Sequence, residues 1–148
     1  MMRESAHTIA EAPAAAVFAQ VTDISRLPEW NRAIPEVTEQ PPSLAVGAVW
    51  KVRIHTMGTT WISKSTLVEL DETNGRFRYR TEPDDGNPSY ADWEWRVTPL
   101  PTGSEVSVTV DIHPQTFWRK YLLVQIRRPV LRKEMQTSVE ALAGSVRV

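Results

Sequence analysis

The middle of this 148-residue chain repeats one pattern, in which apolar and polar residues alternate over short segments. Val49–Met57, for example, places Trp50, Val52 and Ile54 on one face and polar or charged residues on the other. A period of two is typical of a β-strand that buries one face. Because such segments follow one another along the chain, we expect an antiparallel sheet that is packed on one side and solvated on the other.

Six or seven segments show the strand pattern, and turn-forming residues separate them. The predicted strands are residues 3–9, 33–40, 49–57, 60–70, 76–80, 91–97 and 105–112. Their outward faces carry opposite charges, with Lys51 and Arg53 on one strand and Asp92 and Glu94 on another. If these strands are neighbours, cross-strand ion pairs are expected to add modest stability.

Two short helices are predicted directly after the first strand. Pro13 suits a first helical position, and the alanine run that follows it favours a helix ending near Val21. Asp23 is expected to cap a second short helix, Ile24–Trp30.

The last segment, from Phe117 to about Ser145, is predicted to form a long helix. Its apolar residues recur three and four positions apart, which places them on a common face. Pro129 lies inside the segment and has no amide hydrogen for the carbonyl of Gln125. A kink, or a break between two helices, is therefore expected at Pro129.

Composition excludes several kinds of site. The chain has no cysteine, which excludes thiol nucleophiles, disulfides and cysteine-bound metals and leads us to expect a reducing, cytoplasmic location. Residues 1–10 lack the apolar core of a signal peptide, and no apolar run approaches the ~18 residues that cross a bilayer. A net charge of −1 argues against nucleic acid as a partner.

The charge is unevenly distributed along the chain. Residues 117–148 carry seven basic and two acidic side chains and sum to +5, whereas residues 1–116 carry ten basic and sixteen acidic ones and sum to −6. We interpret the basic segment as the solvated face of a helix packed on an acidic sheet. The alternative is an adaptor that docks on an anionic membrane surface or partner.

Three segments resemble motifs of one protein family. Residues 10–18 (Ala-Glu-Ala-Pro-Ala-Ala-Ala-Val-Phe) resemble its strand-to-helix entry, and residues 23–31 (Asp-Ile-Ser-Arg-Leu-Pro-Glu-Trp-Asn) its second-helix motif. Residues 128–131 (Arg-Pro-Val-Leu) resemble its kinked C-terminal helix. In order and spacing the whole chain is similar to the START-like or Bet v 1-like superfamily (SRPBCC), in its bacterial polyketide cyclase/dehydrase-like branch.

This resemblance implies a single α+β domain, residues 1–148, with the helix-grip fold. In that fold a curved antiparallel sheet of six to seven strands surrounds a long C-terminal helix, two short helices follow the first strand, and a cavity lies between sheet and helix. The superfamily includes lipid carriers, aromatase/cyclases, hormone receptors and chaperone activators, so the fold alone does not define the function.

We predict that the cavity binds a hydrophobic or aromatic small molecule, such as a lipid or a polyketide-like metabolite. The chain has six tryptophans, and strand alternation places several of them on the apolar face, where they could form a wall for a flat ligand. Each is also compatible with an ordinary place in the core. The residues predicted to bind the ligand are Trp30, Trp50, Val52, Ile54, Trp61, Tyr79, Trp93, Trp95, Val108, Val110, Phe117, Tyr121 and Val124.

No catalytic constellation is evident in the sequence. The three histidines lack metal-ligand spacing, so no metal is expected. The six glycines form no glycine-rich phosphate loop, and no cofactor is expected. Ser63 and Ser65 lie outside any Gly-x-Ser-x-Gly context. His113 follows Asp111 by two positions, which suggests either a surface hydrogen bond or an acid–base pair.

The alternative function is an aromatase/cyclase-like enzyme acting on a polyketide-type substrate. Such an enzyme needs at least two ionisable or hydroxyl groups that converge inside the cavity. Tyr79, Tyr90, Arg53 and Tyr121 are the candidates for orienting an enolate. The sequence is compatible with a monomer or a homodimer.

Overall fold

The computed structural model of the protein describes residues 2–115 and 124–146. Within these ranges, seven strands form one sheet, accompanied by three α-helices and one 3₁₀ turn. In chain order the elements are β1 (Met2–Ala10), α1 (Ala14–Val21), the 3₁₀ turn (Ile24–Arg26), α2 (Leu27–Trp30), β2 (Glu36–Glu39), β3 (Val49–Thr56), β4 (Thr59–Asp71), β5 (Arg76–Pro83), β6 (Tyr90–Leu100), β7 (Gly103–His113) and α3 (Val124–Ser145).

The sheet has the strand order β1-β7-β6-β5-β4-β3-β2, and every neighbouring pair is antiparallel. Strands β2 to β7 therefore follow one another as a meander, and β1 joins the far edge by pairing with β7. Helix α3 packs on β1 and β7, and α1 packs on β6 and β7. The predicted helix-grip fold is confirmed.

The alternation in the sequence determines which face of each strand is buried. Along β7, Val106, Val108 and Val110 are almost fully buried, and the residues between them are partly exposed. The same alternation buries Trp50 and Val52 on β3. The buried faces meet the apolar sides of α1 and α3 and form one hydrophobic core.

Two local predictions were wrong in detail. The predicted helix Ile24–Trp30 is divided into the 3₁₀ turn and α2, and Asp23 makes no capping hydrogen bond to the backbone. Instead its carboxylate accepts a hydrogen bond of 2.6 Å from the hydroxyl of Ser25. The local side-chain partner replaces the backbone amide that a capping aspartate would bind.

Pro129 does not divide the C-terminal helix, so the predicted break does not occur. Helix α3 continues from Val124 to Ser145 with Pro129 inside it. A proline in a helix interior removes one hydrogen bond. The turns that follow are held against β1 by tertiary contacts, which offset this loss.

The charged side chains on the outward face of the sheet form ion pairs other than those suggested by the sequence. Strands β3 and β6 are separated by β4 and β5, so Lys51 and Asp92 are not neighbours. Lys51 binds Asp84 at 2.9 Å, and Asp92 binds Arg80 at 2.7 Å. These pairs are exposed enough to contribute little stability individually.

The strongest polar contact between sheet and helix is made by Glu4. Its side chain lies on the inward face of β1 and is only 5% exposed. Arg128 Nε donates to Oε1 of Glu4, and Arg132 donates to both carboxylate oxygens at 2.9 and 3.1 Å. The hydrogen bond from Arg132, more than any other contact, lowers the pKa of Glu4. Two of the seven basic residues of the C-terminal segment are thus bound within the domain.

Replacing Glu4 with glutamine (Glu4→Gln) removes the charge that both arginines bind. We expect the free energy of unfolding at pH 7 to fall by about 1–2 kcal/mol, as for a partly screened hydrogen bond to a charged group. Because the folded-state pKa of Glu4 is lowered, this stability is present above the ordinary glutamate pKa of about 4.3. It is lost as the pH falls through the folded-state pKa. Urea denaturation at neutral pH and at about pH 3 measures both effects.

The control for this prediction is Glu11→Gln, since Glu11 is exposed and has no ion pair among the described residues. Its free energy of unfolding should match that of the unmodified protein at both pH values. If the difference between Glu4→Gln and the unmodified protein were equally large in acid, the linkage to the Glu4 carboxyl would be wrong.

Candidate ligand-binding site

A cavity of about 580 Å³ lies between the inward face of the sheet and helices α2 and α3. Its volume falls within the range of about 300–1,000 Å³ that small-molecule sites occupy. The lining comes mainly from β3, β4, β5 and β6 on one side and from α3 on the other. Because α3 packs on β1 and β7, at one side of the sheet, the central strands lack a covering helix and face the cavity.

The structure places most of the residues predicted from the sequence around this cavity. Nine of the thirteen line it, namely Trp30, Trp50, Val52, Ile54, Trp61, Tyr79, Trp93, Trp95 and Val108. Phe117 and Tyr121 lie outside the described residues, as does the side chain of Val124. Val110 is fully buried and is not part of the lining. It pairs across the sheet with Glu4, whose carboxylate binds Arg128 and Arg132 of α3.

Aromatic side chains form a continuous wall on the sheet side. Trp50 stacks on Phe77 with ring centroids 6.1 Å apart and meets Tyr79 edge to face at 5.3 Å. Tyr79 in turn stacks on Trp93 at 6.3 Å, with an interplanar angle of 13°. Offset and edge-to-face contacts of this kind stabilise aromatic clusters beyond their burial. The wall therefore presents aromatic surface that is held in place by neighbouring rings.

Trp30 lines the cavity from α2. Its ring meets Trp95 at 5.3 Å with an interplanar angle of 80°. The side chain is 1% exposed, and its indole Nε1 has no hydrogen-bond partner among the described residues. Buried polar groups in native proteins usually have a hydrogen-bond partner, so this indole N–H is an exception.

Two hydroxyls on β5 are oriented by indole N–H groups of β6. Trp93 Nε1 donates to Thr81 Oγ1 at 3.0 Å, and Trp95 Nε1 donates to the Tyr79 hydroxyl at 3.2 Å. A hydroxyl that accepts such a bond can still donate its own hydrogen in another direction. Burial raises the pKa of Tyr79 to about 12, so its hydroxyl is neutral at pH 7 and acts as a donor.

Ser63 and Ser65 extend this polar strip onto β4. Ser65 pairs directly with Thr81 across the two strands, and both serines line the cavity. In the part of the chain that the structure describes, neither serine hydroxyl has a hydrogen-bond partner. We call Ser63, Ser65, Tyr79 and Thr81 the hydroxyl row. Because serine is small, the row also leaves room between the larger aromatic residues on both sides.

The helix side of the cavity contains one acidic residue. Leu131, Glu134, Met135 and Ser138 line the cavity from α3, at the three- and four-residue spacing of one helix face. Oε1 of Glu134 is buried and has no hydrogen-bond partner among the described residues. Within the same residues Glu134 forms no ion pair.

Sequence reasoning missed the hydroxyl row as a unit and missed Glu134. The signals were present in both cases. Alternation along β4 from Trp61 places Ser63 and Ser65 on the same face, and helical spacing places Glu134 between Leu131 and Met135. Glutamate usually lies at the surface, so its residue type alone does not indicate the cavity.

The suggested pair of Asp111 and His113 does not form. Asp111 binds Arg3 at 2.6 Å, and this hydrogen bond lowers the pKa of Asp111. The ring of His113 stacks on Tyr90 at 4.6 Å, and its Nε2 lies 3.8 Å from Asp92. The described residues contain no group of three or more His, Asp or Glu side chains placed to hold a metal ion.

The four residues predicted to orient an enolate do not all lie at the cavity. Tyr79 and Tyr90 line the cavity. Arg53 lies on the outward face of β3, where it binds Glu36 at 2.9 Å. Tyr121 lies outside the described residues.

Similar folds occur in several solved structures. The aromatase/cyclase Zhui from Streptomyces sp. R1128 has a TM-score of 0.78 at 16% identity, with 98% of this chain and 93% of that chain covered. The protein TTHA0849 from Thermus thermophilus has a TM-score of 0.77 at 17% identity, covering 98% and 97%. Ara h 8.0201 has a TM-score of 0.70 at 19% identity, also covering 98% and 97%. At these identities the similarity shows the fold alone.

The helix-grip fold with an apolar cavity defines the structural class, and the sequence identifies the family within it. Residues 3–147 match the family described as "Polyketide cyclase / dehydrase and lipid transport". The chain belongs to this family, and the predicted START-like resemblance is confirmed. No curated protein matches the sequence. None of the described helices is long and apolar enough to cross a membrane.

Alkaline titration tests the assignment of Tyr79 as a buried donor. We expect Tyr79 to ionise late, with a pKa of about 12, when tyrosinate absorbance is followed as the pH rises. The Tyr79→Phe variant should lack this late phase. Since it also leaves the indole N–H of Trp95 without its acceptor, its free energy of unfolding should fall by about 1–3 kcal/mol. A late phase that persists in Tyr79→Phe would contradict the assignment.

Proposed function

We propose that this protein binds a flat, predominantly apolar small molecule in the cavity between the sheet and α3. The observation that carries the proposal is the 580 Å³ cavity with its wall of stacked aromatic residues. An aromatic wall contributes burial and ring contacts to a flat ligand, and a few placed polar groups fix its orientation. Membership of a family described by cyclase and lipid-transport roles supports ligand binding in general. The absence of cysteine leads us to place this activity in the cytoplasm.

The hydroxyl row gives the ligand a preferred orientation. Tyr79 and Thr81 accept from indole N–H groups and keep their own hydrogens for a further acceptor. A carbonyl or hydroxyl oxygen at one edge of the ligand would accept from them. The aromatic residues on either side of the hydroxyl row would then contact the ring system of the ligand.

Filling the cavity from β4 tests this function. Ser65→Leu adds an apolar side chain on the inward face, between the aromatic residues, and we expect it to weaken the binding of naphthalenemethanol, a neutral flat aromatic alcohol, at least about tenfold. Isothermal titration calorimetry measures the affinity. The matched control is Thr66→Leu, the next residue of the same strand, whose side chain faces outward and should leave affinity unchanged.

Two outcomes would argue against the proposal. One is that the unmodified protein binds no flat aromatic compound and shows no bound small molecule by native mass spectrometry after purification without denaturation. The other is that Ser65→Leu and Thr66→Leu bind naphthalenemethanol equally well. Circular dichroism confirms that both variants are folded before their affinities are compared.

A second candidate function is aromatase/cyclase-like catalysis on a polyketide-type substrate. The hydroxyl row on the sheet and Glu134 on α3 provide more than two hydroxyl or ionisable groups around one cavity, which is what that chemistry requires. The similar fold of Zhui is consistent with it.

Co-expression with a minimal aromatic polyketide synthase tests this second candidate. If the protein is a cyclase, it should change the ring pattern of the products, and Tyr79→Phe should lose that effect because it removes the hydrogen-bond donor. An unchanged product profile, with the protein present and folded, would contradict catalysis and leave the binding role.

A further inference from the structure

The described lining of the cavity has an unbalanced charge. It contains two carboxylates, Glu82 and Glu134, and no lysine, arginine or histidine. Glu82 has a basic partner, since its Oε1 lies 3.5 Å from Nζ of Lys64. Glu134 has no such partner among the described residues, so its charge is the one that the protein leaves uncompensated there.

The position of Glu134 does not follow from packing. It lies in the middle of the cavity-facing stripe of α3, with Leu131 and Met135 beside it and Ser138 one turn further. The amide of Arg32 donates to the hydroxyl of Ser138 at 2.9 Å, which fixes this part of the helix against the segment after α2. A leucine or methionine would continue the apolar stripe without the cost of burying an unpartnered carboxylate oxygen. The carboxylate is therefore better explained by a ligand than by the fold.

The aromatic residues that line the same cavity as Glu134 suit a ligand that carries a positive charge. Ring faces of tryptophan and tyrosine carry negative quadrupole density and attract organic cations, and the attraction grows when the site is desolvated. The cavity is lined by five tryptophans, Trp30, Trp50, Trp61, Trp93 and Trp95, together with Tyr79. Aromatic faces combined with one unpaired carboxylate attract a cation and repel an anion.

We propose that the ligand of this cavity is a hydrophobic amine, whose ammonium group binds the Glu134 carboxylate and whose flat apolar part lies on the aromatic wall. The inference rests on the proposed function and narrows it. It disfavours fatty acids and other anionic lipids, since their charge would meet the Glu134 carboxylate without a basic residue from the described lining.

Three probes of one shape and different charge test this proposal on the full-length protein. They are naphthylmethylamine, naphthalenemethanol and naphthoate, with affinities measured by isothermal titration calorimetry at neutral pH. We expect the amine to bind about tenfold or more tightly than the alcohol, as for a charged hydrogen bond in a partly desolvated site, and the carboxylate to bind weakest.

The Glu134→Gln variant removes the charge and keeps the shape. It should reduce amine affinity about tenfold and leave alcohol affinity within about threefold of its original value. The matched control is Glu140→Gln, which removes the same charge from an exposed position of the same helix and should keep the preference for the amine. Without ligand, Glu134→Gln should unfold at the same or a higher temperature than the unmodified protein, because it removes a carboxylate whose Oε1 is buried without a hydrogen-bond partner among the described residues.

The outcomes separate this inference from the proposed function. Binding of the alcohol without preference for the amine would overturn the amine proposal and keep the aromatic-binding function. Tighter binding of naphthoate, or an amine preference that survives in Glu134→Gln, would also overturn it. If none of the three probes binds, both proposals are overturned. An amine preference that is lost in Glu134→Gln and kept in Glu140→Gln would support both.

Discussion

The contact of Glu4 with Arg128 and Arg132 determines where the cavity lies. It holds the middle of α3 against β1, at one edge of the sheet, rather than over the central strands. The sheet has more inward apolar surface than a helix in that place can cover, because β3, β4 and β5 extend beyond it. The uncovered surface of these strands, together with Trp30 of α2, forms the wall of the cavity. An ion pair between a buried carboxylate and exposed arginines is seldom the largest source of stability, but this one fixes a relative position that apolar packing alone would leave less specific.

The cavity itself is kept open by the choice of residues on its sheet wall. Large aromatic side chains line the cavity from β3, β5 and β6 and, through Trp61, from β4, but β4 also contributes the small residues Ser63 and Ser65 between β3 and β5. The rings support one another through stacking, and two of their indole N–H groups bind hydroxyls of β5 rather than a ligand. Aromatic residues fixed in this way do not collapse into the empty space, which explains how a hydrophobic core can contain about 580 Å³ of cavity.

Most of the fold and part of the site could be predicted from the sequence. Alternation along β3 and β7 identified strand faces correctly, and the Leu-Pro-Glu-Trp motif with its order along the chain identified the fold. Local patterns could not give the position of α3 across the sheet, because that depends on the contact between Glu4 and residues more than 120 positions away. For that reason Val110 is predicted to line the cavity although it is fully buried outside the lining, and Glu134, which lines the cavity, is not among the predicted residues.

The groups inside the cavity are better suited to holding a ligand than to moving its protons. Tyr79, with a pKa of about 12, stays protonated at neutral pH and can polarise a ligand oxygen, but it is a weak acid and cannot act as a base there. The hydroxyls of Ser63, Ser65 and Thr81 are equally neutral. Glu134 is thus the one charged group of the described lining that has no partner, and general acid–base catalysis requires a second group of matched pKa near the same atom. Electrostatic recognition of a cation requires only that carboxylate and aromatic faces in the same cavity.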